Sequence, residues 1–129
     1  MVSFEGFAIS GSLPIYTQLI LYIKRGIVAG TVCGGDELPS RRVLSALLGV
    51  NPNTVQKAYH LLEEEGIIES RSGARSFVTA DGELKLRLRA ELLEQDAAAW
   101  ISAMKQMGLT REEALRMTEV MWDKTGGEA

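Results

Sequence analysis

The chain has a single cysteine, Cys33, which excludes an intramolecular disulfide and fits a reducing, cytoplasmic compartment. With no activating partner in view, Cys33 gives little ground for a redox sensor. His60 is the sole histidine. A zinc site needs roughly three or four Cys, His or acidic ligands at matched spacing, so neither a metal nor another cofactor is expected. No apolar run approaches the roughly 18 residues of a membrane span, and no basic stretch followed by an apolar one opens the chain, so no membrane insertion or secretory leader is expected. Repeats, low-complexity tracts, a glycine-rich phosphate loop and a nucleophile arrangement are all missing, which argues against an enzyme. Glu63, Glu64 and Glu65 do form a carboxylate run, but consecutive helical residues point in different directions. They read as a solvated helix end, unfavourably placed at the negative end of the dipole.

An excess of positive charge is also missing, since the net charge is −3. Its distribution matters more than its sum. Residues 1–80 hold seven Lys/Arg and seven acids, whereas residues 81–129 hold seven bases and ten acids, the whole of the deficit. Between Leu38 and Leu62 stand three bases and no acid, and local charge sets the field at a docking face. At 129 residues with 46% hydrophobic content, the chain can bury one core, with room for a helical appendage.

The clearest stretch runs from Asn51 to Gly66, where the spacing predicts a helix. Val55, Ala58, Tyr59 and Leu62 share one apolar stripe, and Asn53, Gln56, Lys57 and His60 share a polar, acid-free one. Asn51 suits the N-cap, Pro52 the first position and Gly66 the stop. Such a polar face fits base edges in a major groove; it equally fits plain solvation. The preceding segment bears on the choice. Leu38-Pro39-Ser40 opens a second helix with Ser40 as N-cap, Val43, Leu44, Leu47 and Leu48 as its buried side, and Gly49 as its end. Two short helices joined by a tight glycine-containing turn are a helix-turn-helix, whose second helix enters the groove.

Upstream, residues 2–9 suit a short edge strand or an ordered arm anchored by Phe4, Phe7 and Ile9. Pro14 then leads into a helix ending at Gly30, with Ile15, Leu19, Tyr22, Ile23 and Ile27 as its apolar stripe. Downstream, residues 67–70 and 75–79 read as the strands of a hairpin, a wing whose tip carries Arg71 and Arg75 around Gly73. Those arginines suit phosphates or a narrow minor groove; a solvated hairpin has the same pattern.

From about Glu83 to Met107 a long helix is expected, and after Gly108 a final one capped by a Thr110–Glu113 box, with Gly126 and Gly127 leading to a frayed end. Leu88, Leu92, Trp100, Met104, Met117, Met121 and Trp122 give this tail more apolar surface than one subunit readily hides. A second copy of the chain is the expected cover, although folding back on the first helix remains open.

Three runs of residues carry a family likeness. Pro14-Ile15-Tyr16-x-Gln18-Leu19, Leu38-Pro39-Ser40-x-Arg42-x-Leu44 and Val50-Asn51-Pro52-Asn53-Thr54-Val55-x-Lys57-Ala58-Tyr59-x-x-Leu62-Glu63-x-Glu65-Gly66 resemble the GntR family of bacterial transcription regulators, and the short tail resembles its YtrA-type branch. The resemblance covers about residues 12–79. It implies a repressor that dimerises through its C-terminal helices and binds an inverted repeat. By position, Arg42 would contact a phosphate, Asn51, Asn53, Thr54 and Gln56 would face DNA, and Gly73 would let the wing approach the minor groove. Two departures stand out. Arg75 and Ser76 occupy the place of a frequent Gly-Thr, and Pro52 stands where some relatives carry a base-reading arginine, leaving Asn53 and Gln56 to pair with adenine.

The expected fold is therefore mainly α with a small β-hairpin wing. It has a winged helix-turn-helix domain over residues 1–80 and an antiparallel helical pair over residues 81–129 for dimerisation. The expected function is a homodimeric, sequence-specific regulator of transcription acting on a double-stranded DNA operator, with a small-molecule effector left open. The alternative is a winged-helix protein-interaction module, which would lack the salt dependence of phosphate binding.

Overall fold

The computed structural model describes residues 1–79 and 81–125. It divides into two compact units, Met1–Ala90 and Glu91–Ala129. The first extends past the expected boundary at residue 80 because Leu84 packs against the winged-helix core and Leu88, 1% exposed, lies inside it.

The first unit opens with an arm rather than a strand. The Val2 amide donates to the Glu37 carbonyl at 2.8 Å, Val2 and Phe4 are buried, and Ile9 is 49% exposed and anchors nothing. Helix α1 (Ile15–Ala29) buries Leu19, Ile20, Ile23 and Ile27 and ends at Gly30 in the left-handed region. On its flank Phe4 stacks on Tyr22, with ring centroids 5.1 Å apart, and the Tyr22 hydroxyl donates to the Ser3 carbonyl at 2.8 Å. Gly26 is needed for close approach, since a Cβ there would stand 2.6 Å from Val32 Cγ2. Its carbonyl accepts from the Thr31 and Val32 amides at 2.9 and 3.0 Å, turning the chain back beside α1.

Helix α2 (Arg41–Leu48) starts at Ser40, whose side chain accepts from the Val43 amide. Leu44 is fully buried, but Val43 and Leu47, expected to be buried too, are 55% and 66% exposed. Two turns of helix offer one narrow stripe inward, and the i, i+4 pair Val43 and Leu47 falls outside it. The turn that follows is held by buried Ser45, whose hydroxyl donates to the Val50 carbonyl at 2.6 Å. Helix α3 (Pro52–Glu64) begins at Asn51, whose side chain accepts from the Asn53 amide, and buries Val55, Ala58, Tyr59 and Leu62. It packs against both α1 and α2.

Strands β1 (Ile68–Arg71) and β2 (Arg75–Val78) form an antiparallel hairpin in which Glu69 faces Phe77 and Arg71 faces Arg75. Both Gly73 and Ala74 take positive φ at the tip, 76° and 60°. That costs glycine nothing and alanine about 1–2 kcal/mol. Residues 35–38 run beside β2: the Gly35 amide donates to Val78 O at 2.7 Å and the Leu38 amide to Ser76 O at 2.9 Å.

Helix α4 (Gly82–Gln106) begins in the first unit, where the Asp81 carboxylate accepts from the Leu84 amide at 2.8 Å. In the second unit, the turn after α4 has Gly108 at φ 79°, and α5 (Arg111–Thr125) follows. The expected capping box is formed: the Thr110 amide donates to Glu113 Oε1 at 2.9 Å, and the Glu113 amide to Thr110 Oγ1 at 3.1 Å. These bonds favour the charged carboxylate and hold Glu113 below its ordinary pKa. Helix α5 buries none of its side chains. Instead of a closed pair, α4 and α5 leave an open apolar groove of about 760 Å³, lined by Ala97, Trp100, Ile101, Met104 and Leu115 among others. The end expected to fray at Gly126 and Gly127 lies outside the described residues.

Candidate nucleic-acid interface

With Val55, Ala58, Tyr59 and Leu62 turned into the core, α3 must show Asn53, Gln56, Lys57 and His60 on its other side, and all four are exposed. Asn51 is exposed as well, but its side-chain oxygen accepts from the Asn53 amide at 2.8 Å, which leaves its NH₂ group as the free donor. Thr54, expected to face DNA, is half-buried. The Lys57 ammonium sits 4.1 Å above the centre of the Tyr16 ring, so α1 helps to orient it. His60 Nε2 lies 3.4 Å from Glu64 Oε1, one turn along the helix. Arg42 is exposed on α2 and makes no ion pair among the described residues. Chemically this surface offers two carboxamides able to match an adenine edge, an imidazole and two cations.

A buried strut beneath it escaped the sequence reading. Tyr59, 1% exposed, donates its hydroxyl to the Pro39 carbonyl at 2.7 Å, and burial pushes its pKa up. The Arg41 guanidinium lies 5.1 Å from the Tyr59 ring centre. Tyr59 thereby ties α3 to the segment that starts α2. The apolar spacing marked Tyr59 as core; its hydroxyl partner lies 20 residues away and left no local signal.

The wing differs most from expectation. Arg71 and Arg75, expected to suit phosphates or a narrow minor groove, are both paired within the chain. Arg71 donates Nε and Nη2 to Glu69 Oε1 at 2.9 and 2.7 Å. Arg75 donates Nε and Nη2 to the two oxygens of Glu37 at 2.9 and 2.8 Å. Phe77 has the Arg71 and Arg75 guanidinium carbons 4.2 and 5.2 Å from its ring centre. The Arg75 hydrogen bonds hold the Glu37 carboxyl below its usual range, and Glu37 in turn raises Arg75. Sequence reasoning passed over both acids. Glu69 was within reach, two residues from Arg71 on the same strand face, whereas Glu37 is 38 residues from Arg75 and gave no sign. Gly73 is at the tip as expected, with open space around it.

Of the residues assigned to a dimer interface, Leu88 lies inside the winged-helix core and Leu92 is 7% exposed, so neither offers much surface to a partner. Met104 is half-buried. Trp100, Met117, Met121 and Trp122 are 36%, 47%, 43% and 66% exposed. Among the described residues no cluster of His, Cys, Asp or Glu could hold a metal ion, and no helix is long and apolar enough to cross a membrane.

A helix-turn-helix whose second helix presents Asn53, Gln56, Lys57 and His60 on its exposed side, followed directly by a hairpin, defines a winged-helix DNA-binding regulator. The comparisons agree. The model of the bacterial regulatory proteins of the gntR family matches residues 15–78, and the chain belongs to that family. It is 36% identical over 104 residues to the uncharacterized HTH-type transcriptional regulator YhcF of Bacillus subtilis, covering 81% of this chain and 86% of the relative. It is 43% identical over 75 residues to the HTH-type transcriptional repressor YtrA of the same organism, covering 58% of each. A GntR family transcriptional regulator from Listeria monocytogenes superposes with a TM-score of 0.76 at 36% identity, over 86% of this chain and 97% of that one. The DNA-binding domain of AraR, solved in complex with operator ORX1, superposes with a TM-score of 0.50 at 27% identity, over 56% of this chain and 93% of that domain. These are transcription regulators rather than enzymes.

Proposed function

We propose that this chain is a homodimeric transcriptional repressor that reads an inverted-repeat operator through α3, acting on chromosomal DNA in the cytoplasm. The observation that carries the reading is the exposed face of Asn53, Gln56, Lys57 and His60, set opposite the buried stripe of the same helix. Asn53 and Gln56 read base edges, Lys57 and Arg42 take phosphates, and Asn51 donates from the helix start. Two such helices about 34 Å apart read half-sites one turn apart. Exposed Trp100, Met117, Met121 and Trp122 support dimerisation through the second unit, because exposed clusters of large apolar side chains mark contact surfaces. The name of YtrA, a repressor, supports repression.

The test is fluorescence anisotropy on DNA from the region upstream of the chain's own gene, at two salt concentrations, against scrambled DNA of equal length. Tight, salt-sensitive binding that favours the native sequence is expected. Arg42→Ala weakens binding to every sequence, whereas Gln56→Ala mainly narrows the gap between native and scrambled DNA, by about 1–3 kcal/mol. Equal loss on both DNAs for Gln56→Ala would remove its base-reading role. Weak, salt-insensitive binding to both would refute the reading.

A further inference from the structure

The wing carries four charged side chains on one face. In the hairpin register Arg71 stands directly opposite Arg75, and two residues along the strands Glu69 stands opposite Phe77. Glu37 is bridged to Phe77 from the other side. Side chains two apart along a strand share a face, so Glu69, Phe77 and Glu37 make one row and Arg71 and Arg75 the next. Like charges directly opposite each other on a sheet repel. Here each arginine bonds its own carboxylate, Arg71 to Glu69 and Arg75 to Glu37, with the Phe77 ring near both. The arrangement closes on itself, and its four charges sum to zero.

We propose that Glu37 and Glu69 are positioning residues that hold Arg75 and Arg71 away from the phosphate backbone, so that the wing meets DNA without net charge and Glu37 sets how strongly Arg75 contributes. The proposal rests on the DNA-binding reading above. Arg75 uses Nε and one Nη2 hydrogen on Glu37, the bidentate fork it would otherwise offer a phosphate. Glu37 is anchored where it stands by its backbone: its carbonyl accepts from the Val2 amide at 2.8 Å, and the next residue, Leu38, donates to Ser76 O at 2.9 Å. The backbone carrying the acid therefore stays in place, and a phosphate must compete with its carboxylate for Arg75.

The experiment is a salt titration of binding to a fluorescein-labelled duplex of about 30 base pairs, long enough for two half-sites one turn apart, taken from the chain's own upstream region. It compares the wild type, Glu37→Gln, Arg75→Ala and the double variant, with circular dichroism melts to confirm that all four fold. Glu37→Gln keeps the side-chain shape and the backbone bridge. Released from the acid, Arg75 gains a phosphate contact in each protomer: the salt slope of the dimer steepens by about 1.8, about 0.9 per wing, and low-salt binding tightens by up to about tenfold per wing. On the Arg75→Ala background the same Glu37→Gln change leaves the slope unaltered, because no cation is there to be freed. An equal change on both backgrounds would make Glu37 a mere background charge and overturn the proposal. No change on either would do so too. Salt-insensitive wild-type binding would overturn the DNA-binding reading itself, and the proposal with it.

Discussion

Two buried hydroxyls in the winged helix have opposite circumstances. Tyr59 donates to the Pro39 carbonyl, and Pro39 is itself buried, so removing the hydroxyl strands that acceptor. A stranded buried polar group costs about 1–3 kcal/mol, and Tyr59→Phe should lower stability by that amount in urea unfolding. Ser76 is 3% exposed and its Oγ finds no protein partner among the described residues. Ser76→Ala sacrifices no hydrogen bond and should be neutral or stabilising by about 1 kcal/mol. A loss at Ser76 as large as that at Tyr59 would show that its hydroxyl is bonded after all. The spacing in α3 marked Tyr59 as buried, but which polar atom meets its hydroxyl depends on a chain segment the helix pattern does not contain.

Two elements use carboxylates whose pKa is held down by partners, the wing through Glu37 and the start of α5 through Glu113. A depressed carboxylate stabilises the fold above its ordinary pKa, and that contribution disappears as pH falls through the lowered value. The thermal midpoint should therefore drop on acidification below about pH 4.5, and Glu37→Gln should flatten part of the drop by lowering the midpoint slightly at pH 7 while leaving it near the wild-type value in acid. An unchanged acid profile in Glu37→Gln would mean the wing pair adds nothing to stability. Glu113 is exposed and Glu37, half-buried, still borders solvent, so the effect is small. At this scale the capping box of α5 was legible because its two residues lie three apart. The wing pairing was not, because strand alternation shows which face Arg75 occupies but not what runs beside it.

For the whole molecule, the decisive property is what covers the second unit. Trp122 is 66% exposed, so in a monomer a charge there should cost the fold little, surface changes being worth about 0.5 kcal/mol or less. In the proposed dimer the same charge would sit in an apolar contact. Sedimentation velocity should show a dimer for the wild type at micromolar concentration and a monomer of unchanged helix content for Trp122→Glu. A Trp122→Glu dimer of wild-type strength would place the interface elsewhere. Leu88 shows why composition alone misjudged this surface. It shares an apolar side with the tail in the sequence, yet it is buried in the first unit, because α4 begins as part of the winged helix.

The sequence by itself determined the helices, their caps at Ser40, Asn51 and Thr110, the helix-turn-helix and the polar face of α3. All of these depend on periodicity and hydrogen bonds within a few residues. Tertiary structure alone decided that Val43 and Leu47 face outward, that Leu88 belongs to the core, and that Arg75 is answered by Glu37. Each of these outcomes depends on which segments are brought side by side, and a local pattern carries no information about a neighbour 38 residues away.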